Sequence, residues 1–258
     1  MSLITIGSGR LEYAWFGSGS PQAPTIVMLH EGLGSVSMWR DFPQVLADRT
    51  QSRVLVYSRH GYGRSASLAA PRHVSYMHDE ALVVLPQVLR EFAIERPLLF
   101  GHSDGGSIAL IHASRHPVRG VIALAPHVFV EDLSVTSIAT ARVAYETTNL
   151  RERLARHHDD VDGAFRGWND IWLHPDFRTW NIESLLPDIS APVLVIQGED
   201  DQYGTVEQMQ RIARNVGAVE LEHLSQCGHS PHRDQPERVL LATVRWMERH
   251  RHTSVFAA

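Results

Sequence analysis

The chain has 258 residues, 43% of them apolar and 21% charged, with a formal net charge of -5. That length suits one large α/β domain with room for an inserted subdomain, and it is long enough to bury a sizeable core. The mild acidity, without any block of like charge, gives no reason to expect nucleic acid or an anionic membrane surface as a partner. A single cysteine, Cys227, cannot form an internal disulfide. The N-terminus carries neither a basic start nor a long apolar segment, so a cytoplasmic location is expected. Sixteen histidines are many, yet no spacing among them reads as a metal site, and neither metal nor cofactor is expected.

In chain order, Leu3 to Phe16 reads as two short strands around Gly7-Ser8-Gly9, closed by Gly17-Ser18-Gly19-Ser20-Pro21. Thr25 to His30 is an unbroken apolar run of the kind found in strands covered on both faces, and Glu31-Gly32-Leu33-Gly34-Ser35 follows as a Gly-rich loop. Arg53 to Tyr57 repeats the pattern before Arg59-His60-Gly61-Tyr62-Gly63-Arg64-Ser65. Between Tyr76 and Glu95, Leu82, Leu85, Leu89 and Phe92 mark one helical face that Pro86 should kink. Pro97 to Phe100 is a strand, and it runs into Gly101-His102-Ser103-Asp104-Gly105-Gly106, after which a helical pattern resumes up to His116-Pro117.

Val118 to Ala125 is the next buried strand, closed by Pro126-His127. Residues 127–188 then lose the strand period and give helical stretches around Ser137 to Arg156 and Gly163 to Leu173. This is a candidate cap (127–188) inserted into a core made of residues 1–126 and 189–258. Trp168 and Trp172 lie one turn apart and share a face that Phe165 and Ile171 broaden. Val193 to Ile196 restores the strand pattern and ends at Gly198-Glu199-Asp200-Asp201. A helix through Thr205 to Val216, a strand at Val219 to Leu224, the loop around Gly228-His229 and a final helix beginning near Asp234-Gln235-Pro236-Glu237 complete the chain. Alternating strands and helices imply a mainly parallel sheet with right-handed crossovers.

The Gly-x-Ser-x-Gly-Gly turn is where chemistry is expected. A strand that reverses into a helix within a few residues crowds the backbone around its central Ser, and glycines remove the clash. A serine hydroxyl is a poor nucleophile unless a base lies within hydrogen-bond reach and an acid orients that base. Asp200 or Asp201 follows a later strand and His229 follows the last one, giving the order Ser, Asp, His. His232 is a weaker candidate for the base, and His30, His60 and His102 read as hydrogen-bonding residues.

These landmarks resemble the α/β-hydrolase superfamily over nearly the whole chain. The matching residues are Leu29-His30 with its Gly-rich loop, Gly61-Tyr62-Gly63-Arg64-Ser65, Gly101 to Gly106, Gly198-Glu199-Asp200-Asp201 and Gly228-His229. The resemblance implies an eight-stranded, mainly parallel sheet flanked by helices with an inserted helical cap. By the same similarity Ser103 is the nucleophile, Asp201 the triad acid and His229 the base. The oxyanion hole would combine the N–H of Asp104 with that of Gly32, or failing that of Leu33. Glu31 departs from the pattern, since family members usually have Gly directly after the His.

The Gly-x-Ser-Asp-Gly-Gly turn is also similar to that of the valacyclovir-hydrolase-like branch, which acts on α-amino-acid esters. An acid beside the nucleophile places the Asp104 carboxylate at the pocket floor, where its charge could bind an amine-bearing substrate; a local bond to backbone or to an arginine is the favoured reading of the two. Glu31, His127, Trp168 and Trp172 complete the expected pocket. The expected activity is hydrolysis of a small carboxylic ester through an acyl-enzyme. A carbon–carbon bond hydrolase of ring-cleavage products is the first alternative, and it would want a cationic pocket where Glu31 and Asp104 offer an acidic one. A non-catalytic ligand receptor on the same fold is the second alternative, with no need of a complete triad.

Overall fold

The computed structural model describes residues 1–7, 9–19 and 23–250. Eight strands form one sheet: β1 (Ser2–Ile6), β2 (Gly9–Phe16), β3 (Thr25–Leu29), β4 (Arg53–Tyr57), β5 (Leu98–His102), β6 (Gly120–Leu124), β7 (Val193–Gly198) and β8 (Val219–Leu224). Their spatial order is β1-β2-β4-β3-β5-β6-β7-β8. β2 runs antiparallel to both neighbours and every other pairing is parallel. The expected mainly parallel eight-stranded sheet is thus present. The hairpin joins Ile6 to Gly9 in register, while Ser8 and the Ser20-Pro21 end of the closing loop lie outside the described residues.

Ten α-helices flank the sheet among the described residues: α1 (Phe42–Thr50), α2 (Tyr76–Asp79), α3 (Leu85–Glu91), α4 (Asp104–Ala113), α5 (Asp132–Thr147), α6 (Leu150–Leu154), α7 (Val161–Trp172), α8 (Glu207–Asn215), α9 (Pro231–Asp234) and α10 (Pro236–His250). Successive side chains of a strand point to opposite faces, which explains the unbroken apolar runs. Val27, Leu29 and Leu99 enter the core shared with α4 and the helices between β6 and β7, whereas Ile26, Met28 and Phe100 pack with Leu46 of α1 and Trp246 of α10.

Three boundaries differ from the sequence reading. The helix expected from Tyr76 onward is broken by a π-helical turn at Glu80–Val84 immediately before Pro86. Proline has no N–H to give and its ring crowds the carbonyl four residues back, so the helix widens there rather than simply bending. α5 begins at Asp132, where Glu131 and Asp132 place negative charge at the helix start, and α7 begins at Val161 because the Asp160 side chain accepts from Gly163 N. Between β6 and β7 the chain forms α5, α6, α7 and two 3-10 turns, with one isolated bridge, Phe129 to Asn181.

The strand order reverses direction at β3 and β5, the place where open α/β sheets bind ligands beyond their carboxyl ends. β5 pairs Gly101 with Leu29 of β3 on one side and His102 with Leu124 of β6 on the other. The residues that follow those strand ends, Glu31-Gly32, Ser103 and His127, therefore emerge together.

Candidate active site

Ser103 leaves β5 with φ 52° and ψ -118°, a strained backbone for a residue with a Cβ. The turn closes this tightly because a Cβ on Gly101 would lie 2.1 Å from Gly105 O, and one on Gly105 would lie 2.0 Å from Leu29 O. Ser103 N donates to Leu124 O at 2.9 Å, and the hydroxyl projects above the start of α4. There, the first N–H groups, that of Asp104 among them, have no carbonyl within the helix to bind.

The structure brings Ser103, His229 and Asp201 together. Ser103 Oγ lies 2.9 Å from His229 Nε2, and His229 Nδ1 lies 2.8 Å from Asp201 Oδ1. Oδ1 also accepts from Tyr203 N at 2.8 Å and Gly204 N at 3.2 Å, while Oδ2 accepts from Gln197 Nε2 at 3.1 Å. Burial pushes the Asp201 carboxyl up, but the charge and hydrogen bond of His229 and the Tyr203 N–H outweigh it and leave it below its ordinary value. An ionised Asp201 accepts only, so Nδ1 of His229 carries the hydrogen and Nε2 is free to take a proton from Ser103. Asp200, the alternative acid, is exposed and away from this chain of contacts. His232, the alternative base, is buried, with its ring 4.7 Å from Trp39 and 5.7 Å from Phe42.

A cavity of about 110 Å³ opens on Ser103 and His229, and Glu31, Gly32, Leu33, His127, Trp168 and Trp172 line it, as do Ile138 and Tyr203. Glu31 contributes its loop more than its charge. Its carboxylate lies 3.4 Å from His102 Nδ1 and 3.2 Å from Arg233 Nη2, and these neighbours overcome burial and hold it well below the usual carboxylate range. His127 is buried, and that burial with the nearby His229 pushes its pKa down to about 4, so it is neutral at pH 7.

Asp104 does not face the cavity, which corrects the expectation that it forms the pocket floor. Its carboxylate turns into the interior, where Oδ2 accepts from Tyr76 Oη at 2.8 Å and Arg59 Nη2 at 3.4 Å, and Oδ1 accepts from Trp172 Nε1 at 3.3 Å. A buried carboxylate needs such partners; Arg59 and Tyr76 are not among the residues lining the cavity, and Trp172, which lines it, turns its Nε1 to the carboxylate. The selection of amine-bearing substrates by Asp104 falls with this placement.

The loop after β3 has a defined direction. Arg59 N donates to His30 Nε2 at 3.0 Å, so His30 Nδ1 is the donor to Glu31 O at 2.6 Å. Arg59 Nη2 and Gly34 N also donate to Glu31 O, each at 3.0 Å. In a trans peptide the carbonyl and the following N–H point opposite ways, so the Gly32 N–H points away from these three donors; Gly32 itself lines the cavity. Leu33 has a different constraint: its carbonyl is 3.0 Å from His158 Nε2, while His158 Nδ1 accepts from Gly63 N at 2.9 Å.

Sequence reasoning passed over Arg59, Tyr76, Ile138, His158 and Tyr203. Tyr203, two residues beyond Asp201, could have been found from its loop; the others carry no sequence signal that ties them to Ser103.

Comparison with known proteins agrees with this architecture. The chain is 29% identical over 245 residues to the provisionally named carbamate hydrolase RutD of Yersinia enterocolitica, covering 83% of this chain and 84% of that protein. It is 23% identical over 247 residues to 2-hydroxy-6-oxo-6-phenylhexa-2,4-dienoate hydrolase of Comamonas testosteroni, covering 81% of this chain and 82% of that one. The enol-lactonase of Burkholderia xenovorans LB400 superposes with a TM-score of 0.76 at 20% identity, over 96% of this chain and 100% of that one. The model of the alpha/beta hydrolase family matches residues 26–242, and with the sheet order and the strained turn at Ser103 it shows that the chain belongs to the alpha/beta hydrolase family.

Proposed function

We propose that the protein is a serine hydrolase of small, uncharged carboxylic esters. The observation that carries this reading is the chain of contacts Ser103–His229–Asp201, at 2.9 and 2.8 Å, opening on a cavity of about 110 Å³. Among the described residues, the only carboxylate side chain lining that cavity, Glu31, is already held by Arg233 and His102. Residues 127–188 serve as a cap, with Trp168 and Trp172 as its roof over the acyl group.

In this reading His229 Nε2 takes the Ser103 proton as Oγ attacks the ester carbonyl. The N–H groups of Asp104 and Gly32 receive the developing oxyanion. The protonated His229 then gives its proton to the leaving alcohol, and Asp201 stabilises the imidazolium while it lasts. Water, deprotonated by the same His229, attacks the acyl-enzyme; the tetrahedral state collapses to release the acid, and His229 returns the proton to Ser103 Oγ. Neutral His127 adds a polar edge to an otherwise largely apolar wall.

The similarity to a protein named for carbamate hydrolysis supports a second reading, in which the same groups attack a carbamate carbonyl. Cleavage of ring-cleavage products is less well supported, because among the described residues no Lys or Arg side chain lines the cavity to hold such a substrate's carboxylate. A panel of p-nitrophenyl acetate, p-nitrophenyl carbamate and the phenyl dienoate tests the choice. The acetate is expected to show the highest kcat/KM, and Ser103→Ala to abolish its turnover. A carbamate or dienoate preferred by tenfold or more overturns the ester reading.

A further inference from the structure

Arg59 is fully buried, yet most of its guanidinium is idle. Nη2 makes all three of its side-chain hydrogen bonds, to Glu31 O at 3.0 Å, His30 O at 3.4 Å and Asp104 Oδ2 at 3.4 Å. Nε and Nη1 have no hydrogen-bond partner among the described residues, and the guanidinium lies 4.9 Å from the Tyr62 ring centre. A buried cation with orphaned donors is costly, so an apolar side chain of similar volume would serve packing better. The two outer contacts of Nη2 share one property. Glu31 O belongs to the peptide that carries the Gly32 N–H, and Asp104 carries the N–H next to Ser103 at the start of α4.

We propose that Arg59 is the positioning residue of the oxyanion hole, one nitrogen tying together the two backbone segments that supply its donors. This rests on the serine-hydrolase reading of the site. Arg59 touches no substrate; it sets the separation of the two donors. Tyr76 and Trp172 brace the Asp104 carboxylate from its other side, at 2.8 and 3.3 Å. The acid beside the nucleophile then works as an anchor for the turn rather than as a substrate contact. Donors that are fixed before the reaction stabilise the tetrahedral state more than the ground state, so loosening them lowers kcat and leaves KM nearly unchanged.

The test is Arg59→Met in the full chain, assayed with p-nitrophenyl acetate and with phenylboronic acid, whose tetrahedral adduct on Ser103 places an oxygen in the hole. The expected result is a fall in kcat of about 100-fold per folded molecule, a KM change under about threefold, and boronate affinity weakened in step with kcat. Arg59→Lys, which keeps the charge but lacks the planar fork, is expected to recover only part of the loss. Wild-type kcat with a lowered melting temperature overturns the proposal, as does a kcat loss without loss of boronate affinity. If Arg59→Met does not fold because Asp104 is left unpaired, Arg59→Met with Asp104→Leu removes both buried charges and is read by the same criteria. Ser103→Ala separates the two levels: retained turnover there defeats the serine-hydrolase reading and this proposal with it, whereas an inactive Ser103→Ala beside a fully active Arg59→Met defeats this proposal alone.

Discussion

On one side of Ser103 the groups that would move the proton are side chains on loops. Asp201 and His229 follow the ends of β7 and β8 and bond to each other; Asp201 is held within its own loop by Tyr203 N and Gly204 N, while the His229 carbonyl lies 2.7 Å from His102 Nε2. On the other side, the groups that would hold the oxyanion are backbone N–H groups, and their directions are set by His30, Arg59 and Asp104, none of which has any exposed surface. Side chains can be exchanged one at a time with the backbone intact. A backbone donor moves only when the packing beneath it moves, so the second half is expected to respond to changes several residues away.

The largest effects should fall on the proton-moving side. Ser103→Ala is expected to lower kcat for p-nitrophenyl acetate by about 10⁵-fold or more without changing the melting temperature appreciably. Asp201→Asn should cost about 10⁴-fold by offering His229 the wrong tautomeric partner, while Asp200→Asn stays within about twofold of wild type. Equal losses for the two aspartates would remove Asp201 from its role.

Gly32→Ala probes the oxyanion side. A Cβ there would sit 2.1 Å from Trp168 Cδ1, so either the ring or the loop must shift. A loss of about 100-fold in kcat is expected, partly recovered by pairing it with Trp168→Leu, and a double-mutant cycle measures the coupling. Additive losses would show that loop and ring are independent.

A smaller effect, about tenfold in kcat, is expected for His158→Gln, which breaks the bridge between Gly63 N and Leu33 O. His158 accepts from Gly63 N only while neutral, and burial keeps its pKa below the ordinary value. Acid therefore opens this bridge only once the pH has fallen through that lowered pKa, and the kcat–pH profile of the variant should lack that step.

A further change concerns stability rather than rate. His127 titrates near 4 in the folded protein against about 6.5 when unfolded, so the unfolded chain takes up protons first as pH falls. The folded state then loses up to about 2.5 kcal/mol between neutral pH and pH 4.5, fully regained above the unfolded value. Urea unfolding of His127→Gln at both pH values should show a correspondingly flatter dependence, whereas an unchanged slope would exclude His127 as the source.

The same contrast explains what could be read from the sequence. Apolar runs buried on both faces announced β3, β5, β6 and β7, and the order Ser103, Asp201, His229 was visible because each residue sits at a strand end marked by Gly. The support of the oxyanion side was not visible. Arg59 and Asp104 are 45 residues apart and meet only because β4, β3 and β5 lie side by side. The place of Asp104 next to Ser103 suggests a pocket residue, and its type equally suggests a bond to an arginine; Arg59 is that arginine, but proximity along the chain does not say which way a side chain turns. The π-helical turn left one trace, Pro86, which suggests a break but not its form.

The flat ring of Trp168 against Gly32 has an evolutionary consequence. An inserted segment is the obvious place for a hydrolase to change what it accepts, because it can vary without disturbing the sheet. On the proposed function, a redesign of that segment that removed or tilted Trp168 would also release the backbone beneath it, and selectivity and speed would be inherited together. A segment transplanted from another protein would succeed only if it returned a planar side chain to the same spot.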